Sequence, residues 1–221
     1  MRGFKKPTNF ILIGPPGCGK GTQAKLLADK FKLEYVGSGD ILRKRNKIND
    51  FTGKKLAEVM EKGGLVPSFV INKLLGDELE RLKNKKTAGF VLDGWTRIIY
   101  EAILADEAMG WYGWSNAKIV LIKISVRESF NRLTKRRQCK NCKKLIPWIG
   151  DYKKIKKCDA CGGELITRID DNIQTIKRRL LEYKNQTMKS VNYYKKQNRL
   201  IEINGEQSIE NVFKDIIKAI R

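Results

Sequence analysis

Gly14-Pro15-Pro16-Gly17-Cys18-Gly19-Lys20-Gly21-Thr22 has the spacing of a phosphate-binding loop. In such a loop successive backbone N–H groups and a helix N-terminus surround a polyphosphate, while the lysine reaches the outer phosphates. The flanks agree. Thr8 to Ile13 is a β-branched and aromatic apolar run, read as a buried strand, and from Lys20 the apolar positions Ala24, Leu27, Ala28 and Phe31 recur at helical spacing. Gly17, Cys18, Gly19, Lys20, Gly21 and Thr22 are therefore candidate contacts to a nucleotide's phosphates. Gly21 stands where the general pattern has Ser or Thr, which leaves Thr22 to supply the hydroxyl near Mg2+. Cys18 reads as a small filler or as a thiol activated by the helix N-terminus, and no catalytic role is assigned to it.

Downstream, Leu33 to Val36 reads as a second strand, and residues 38 to 85 as helix in three pieces punctuated by Asn49-Asp50, Gly63-Gly64 and Pro67. Phe90 to Leu92 is a third strand ending at Asp93-Gly94, Ile98 to Met109 a helix, Ile119 to Ile124 a fourth strand and Arg127 to Arg136 a helix. This alternation argues for a parallel sheet covered by helices. Residues 138 to 169 break the pattern with two cysteine pairs, Pro147, Gly150 and Gly162-Gly163, and read as a small inserted module. Asp170-Asp171 is then expected to cap a long helix carrying Ile173, Ile176, Leu180, Tyr183, Thr187, Val191 and Tyr194 on one face. A last strand, Leu200 to Ile203, and a last helix, Ser208 to Ile220, complete the core. Gly110-Trp111-Tyr112-Gly113-Trp114 reads as an aromatic loop that covers the core or forms an interface.

Composition narrows the chemistry. A chain of 221 residues suits one good-sized domain with room for an insertion. Its formal net charge of +22 implies an anionic partner: nucleic acid, a membrane surface or a phosphorylated small molecule. A Lys-rich solvated surface is the plainer alternative. No run approaches a membrane span and the N-terminus shows no small-residue cleavage site, so a soluble, cytoplasmic protein without a membrane partner is expected. Histidine is absent, which excludes imidazole bases, Ser-His and Cys-His nucleophile pairs and His-bound metals.

Asp93 closes an apolar strand, where a carboxylate would sit beside the loop and hold Mg2+ or its waters. Loop and aspartate together point to phosphoryl transfer, which needs positioning and positive charge more than covalent help. A phosphate acceptor is anionic at neutral pH and requires no general base, so the missing histidine fits. Cys139-x2-Cys142 and Cys158-x2-Cys161 suit a tetrahedral four-thiolate Zn2+ site with no open position, hence a structural one. Disulfides are the alternative, opposed by a reducing cytosol.

The segments Gly19-Lys20-Gly21-Thr22, Ser38-Gly39-Asp40-Ile41-Leu42-Arg43, Gly63-Gly64-Leu65-Val66, Val91-Leu92-Asp93-Gly94-Trp95-Thr96-Arg97, Thr167-Arg168-Ile169-Asp170-Asp171 and Ile203-Asn204-Gly205-Glu206, in this order, resemble the adenylate kinase family over essentially the whole chain. The cysteine pairs resemble the zinc-bearing lid of a subset of its members. The resemblance implies an α/β fold: a P-loop three-layer core with a central parallel five-stranded sheet (residues 1–37, 67–137 and 170–221), a helical NMP-binding insert (38–66) and a small zinc-ribbon-like β lid (138–169). It also implies reversible Mg2+-dependent phosphoryl transfer from ATP to AMP, giving two ADP, with insert and lid closing to exclude water.

Carried over by position, Lys20 would bridge the donor phosphates, Arg43 and Arg97 would hold the acceptor phosphate, and Arg136, Arg168 and Arg179 would converge on the transferring group. Lys20, Arg97, Arg136, Arg168 and Arg179 form the implied catalytic set. Arg132 would stack on the donor base beside the backbone near Gln207. Ser38, Val66, Gly94 and Glu101 would line the acceptor site, which Arg168 and Arg179 would also reach, and Thr22 and Asp93 would hold Mg2+, partly through water.

Some positions depart from the family pattern. Trp95-Thr96 replaces Phe-Pro, Tyr100 replaces Pro, Glu101 replaces Gln, and Gly64 stands where some members have Lys. An ionised Glu cannot donate to adenine N1, whereas it suits the N1–H and N2–H donors of guanine. GMP, or UMP or CMP, therefore stays open as acceptor, and tolerant donor contacts leave several nucleoside triphosphates open as donors. The rival class is a zinc-ribbon protein gripping a nucleic-acid backbone. It leaves the loop, Asp93 and the ordered arginines unexplained and shows no aromatic stacking platform, so a nucleic-acid partner is disfavoured. A homo-oligomer through Trp111, Tyr112 and Trp114 completes the partner expectations.

Overall fold

Burial of all four side chains of the first strand, β1 (Phe10–Ile13), puts it inside the sheet rather than at an edge. A computed structural model describes residues 9–220; Thr8, read above as part of this strand, lies outside them. The further strands are β2 (Glu34–Gly37), β3 (Phe90–Asp93), β4 (Lys118–Lys123), β5 (Arg137–Cys139), β6 (Leu145–Ile146), β7 (Leu165–Ile166) and β8 (Leu200–Asn204). Five of them form a parallel sheet in the order β2-β3-β1-β4-β8. The chain winds to one side of β1 and then to the other, so the C-terminal end of β1 is the topological switch point where such sheets bind ligands.

Alternate strand residues feed two apolar layers. Phe10, Leu12, Val91, Val120 and Ile122 pack with α1 (Lys20–Phe31) and the last helix, Ile209–Ala219. Ile11, Ile13, Leu92, Ile119 and Leu121 face the opposite layer, built from α2 (Ser38–Arg45), α3 (Phe51–Glu61), α4 (Ser68–Asn84), α5 (Ile99–Trp111) and the segment around Val191 and Tyr194. Three layers result, as the sequence implied. Helix α6 (Val126–Lys135) leads into a second, antiparallel sheet of order β6-β5-β7, which carries the cysteine pairs.

Three sequence expectations need correction. Asp170-Asp171 does not cap the following helix: these residues lie in a 3-10 turn, and the Asn172 side chain accepts from the Thr175 N–H to cap α7 (Ile173–Glu182). The long helix is also not uniform. A π-helical turn over Tyr183–Thr187 separates α7 from α8 (Met188–Lys196), and Ile173 is exposed rather than part of the buried stripe. The aromatic loop divides: Trp111 ends α5 and is 84% exposed, whereas Trp114 is buried edge-on against Phe90. Helix α9 (Ile209–Ala219) starts at a Ser208 cap, as read.

Candidate active site

The loop between β1 and α1 curls because Gly17 and Gly19 take φ of 81° and 95°, a left-handed region that costs a glycine little. Lys20 Nζ folds back and donates to Gly14 O at 2.7 Å and Pro15 O at 3.0 Å. The Cys18 thiol is buried 3.6 Å from the same ammonium. A Cβ on Gly21 would stand 3.0 Å from Asp93 Oδ2, so the absent side chain lets the first turn of α1 lie against that carboxylate. This accounts for Gly where Ser or Thr is usual and leaves Thr22 as the next hydroxyl.

Asp93 ends β3 in register with Leu12 of β1 and Gly37 of β2. Burial pushes its carboxyl above the ordinary aspartate range, against the pull of the Lys20 and Arg97 charges. The Tyr35 hydroxyl lies 3.4 Å from Asp93 Oδ2 and 3.2 Å from Asp40 Oδ2. Burial first, then those two carboxylates, raises the phenol's pKa, so it keeps its proton.

Just beyond the end of β3, Ser38 Oγ donates to Gly94 O at 2.9 Å and Arg97 Nε to the same carbonyl at 3.0 Å. Arg43 donates to Asp40 Oδ1 at 2.7 Å, and Val66 packs on the core beneath. Glu101 faces its own helix terminus: Oε2 accepts from the Arg97 N–H at 2.7 Å and the Ile98 N–H at 3.4 Å, with Ser68 Oγ 3.4 Å from Oε1. Burial raises its pKa, while those donors lower it.

Three predicted arginines converge at the junction of α6, the antiparallel sheet and α7. Arg136 forms a bidentate pair with Asp171 at 2.7 and 2.6 Å, and Arg168 a bidentate pair with Asp170. Arg179 reaches Asp171 Oδ1 at 3.3 Å and Asp170 Oδ2 at 3.8 Å. Three guanidinium groups thus face two carboxylates. Burial, and next the Arg136 charge, pushes Arg179 down to about 10, so this enclosed cluster favours a further anion.

At the antiparallel sheet, where Cys139 ends β5 and the other three lie in the connecting turns, the Sγ atoms of Cys139, Cys142, Cys158 and Cys161 all lie within 4.8 Å of one another. Cys139–Cys161 and Cys142–Cys158 are 3.4 and 3.6 Å apart, too long for disulfides and near the edge of a tetrahedron of thiolates around one ion. The four-sulfur donor set fits zinc.

The family model for adenylate kinase matches residues 12–199. The chain is 40% identical over 213 residues to the adenylate kinase of Methanocella arvoryzae, covering 96% of this chain and 98% of that one. It is 38% identical over 216 residues to that of Thermoanaerobacter sp. (95% and 96% covered) and 34% over 214 residues to that of Thermosipho africanus (96% and 99%). The chain belongs to the adenylate kinase family. It is a phosphotransferase with a phosphate group as acceptor.

Against the adenylate kinase pattern, the structure gathers Lys20, Asp93 and Arg97 in one field and Arg136, Arg168 and Arg179 in another. Arg132 stands apart on α6, where Nε pairs with Glu128 at 2.6 Å and Nη2 donates to Gly205 O at 3.0 Å. The Gln207 amide is spent on Asn204 O and Asp215. Sequence reasoning missed Asp170 and Asp171 as guanidinium partners, because acids before a helix also read as caps. It also missed Tyr35 and Asp40, and Thr187, whose hydroxyl in the π turn donates to Arg97 O at 2.9 Å. No periodicity marks a π turn, although such turns often lie at functional sites. Among the described residues no helix is long and apolar enough to cross a membrane.

Proposed function

We propose that the chain transfers the terminal phosphoryl group of ATP reversibly to AMP, giving two ADP, with Mg2+ on the donor phosphates and Zn2+ in the cysteine cluster. The observation that carries this is the partly buried excess of guanidinium over carboxylate at Arg136, Arg168 and Arg179, between α6 and α7. A transferring phosphoryl group supplies the missing negative charge where it develops. Lys20 would exchange its two loop carbonyls for donor phosphate oxygens, and Arg43 and Arg97 would hold the acceptor phosphate in line. Asp93 and Thr22 offer the hard oxygen donors that Mg2+ takes; when bound, the ion would neutralise donor-phosphate charge. Arg132 and the backbone near Gln207 would carry the donor base, contacts that accept other nucleoside triphosphates. Residues 38–66 act as acceptor-binding insert and 138–169 as lid, and closure of both would keep water from the phosphoryl group.

A second acceptor, GMP, is favoured by one observation: Glu101 brings an acceptor-only group to the family's acceptor-base position. Its role as cap for the α5 terminus gives the carboxylate a structural purpose, which favours AMP. Chromatographic separation of products, with ATP and Mg2+ plus AMP, GMP, CMP or UMP, tests both. AMP conversion above the others is the expected result; a higher rate with GMP would overturn the acceptor assignment, and no conversion would overturn the whole reading.

A further inference from the structure

The four residues Asp93, Tyr35, Asp40 and Arg43 form a continuous chain of polar contacts from the phosphate-binding loop to the acceptor side. Arg43 Nη2 lies 2.7 Å from Asp40 Oδ1, and the Tyr35 hydroxyl lies 3.2 Å from Asp40 Oδ2 and 3.4 Å from Asp93 Oδ2. One phenol proton therefore stands between two carboxylates. Close fit keeps it there: a Cβ on Gly37 would fall 2.5 Å from Tyr35 Oη and 2.7 Å from Asp40 Oδ2, so the bridge exists only because residue 37 has no side chain.

We propose that Tyr35 is a positioning residue that couples acceptor-phosphate binding at Arg43 to Mg2+ binding at Asp93. The proposal rests on the functional reading above and adds a linkage to it. With Arg43 on Asp40, the guanidinium neutralises that carboxylate and the phenol is shared with Asp93, which spends an Asp93 lone pair. When an acceptor phosphate draws Arg43 away, Asp40 is left uncompensated and takes the Tyr35 hydrogen bond. Asp93 then turns its full charge and both oxygens toward Mg2+. By reciprocity, Mg2+ at Asp93 drives the phenol toward Asp40 and releases Arg43 for the phosphate.

The test is calorimetric titration of AMP into the full chain saturated with the β,γ-imido analogue of ATP, with and without Mg2+, so that no turnover is needed. Mg2+ should tighten AMP binding about fivefold in the parent chain, at the lower end of ordinary site-to-site coupling. Tyr35→Phe, which removes the shared proton, should reduce that gain to below about twofold, and it should weaken metal-free AMP binding as well, because Asp40 then has no hydroxyl to take when Arg43 leaves it. Gly37→Ala, at an unstrained φ of −100°, should do the same by wedging the phenol off the carboxylates, and melting curves establish that both variants are folded. Equal Mg2+ gains in all three proteins, or none in the parent chain, would overturn the coupling alone. Failure of the parent chain to bind AMP or the analogue would overturn the functional reading beneath it.

Discussion

Glu101 shows how one side chain answers to the helix that carries it. Its Oε2 accepts from the N–H groups of Arg97 and Ile98 immediately before α5, and its burial holds the carboxyl above the ordinary 4.5. The folded chain therefore keeps this proton over a pH range where the unfolded chain has lost it. Stability falls as pH rises from the ordinary glutamate value to the folded one, and is level above both. Glu101→Gln should remove that decline, visible as a melting-temperature gap between the two proteins that shifts in the variant's favour as pH rises above the ordinary glutamate value. A parallel course would mean that another group titrates. If residue 101 faces the acceptor base as proposed, the same change would supply a donor for adenine N1 and should raise the kcat/KM ratio for AMP over GMP about tenfold, the value of a hydrogen bond worth about 1–3 kcal/mol. Arg136 makes the complementary case. Arg136→Lys keeps the charge but loses the fork that holds Asp171, so kcat/KM should fall at least about tenfold and the melting temperature should drop. Unchanged kinetics would remove Arg136 from the catalytic set. The arginines were legible in the sequence only through their motifs, since nothing local separates them from the other basic residues. Asp170 and Asp171 were misread because pairing with guanidinium and capping a helix call on the same residue type.

At the scale of elements, legibility followed how local the determining physics is. The β1–loop–α1 unit is set by an apolar run, glycines at left-handed positions and a helical stripe, all within neighbouring residues, and the strand end at Ile13 and helix start at Lys20 agree with the sequence. The π turn at Tyr183–Thr187 and the burial of Trp114 depend on packing against distant elements, Arg97 and Phe90, and leave no local signature. The antiparallel β6-β5-β7 sheet is a different case. Its strands are two or three residues long and only a few of its side chains are buried, so hydrophobic burial alone cannot hold it. Four thiolates on one ion can. Removal of zinc by a chelator should therefore lower the melting temperature by several degrees and open residues 138–169 to proteolysis, while affinity for a nucleotide held by the phosphate-binding loop stays within about twofold. An unchanged melting curve after verified zinc loss would show that the sheet stands without metal.

Over the whole molecule, a net charge of +22 on 221 residues acts in two opposed ways. It attracts anionic nucleotides from beyond contact distance, and it strains the fold through repulsion among the lysines of the outer helix faces. Salt screens both, with a Debye length that shrinks from about 30 Å at 0.01 M to about 8 Å at 0.15 M. The enclosed pairs at Arg136, Arg168 and Arg179 lie within hydrogen-bonding distance of their carboxylates and are screened far less. Raising salt over that range should thus lower kcat/KM for the nucleotides several-fold, chiefly through KM, while kcat holds and the melting temperature rises. Steady-state kinetics and melting curves on the same samples separate the contributions. A fall in kcat together with the melting temperature would mean that salt disrupts the arginine cluster itself, and the excess charge would then serve the site directly rather than steer ligands toward it.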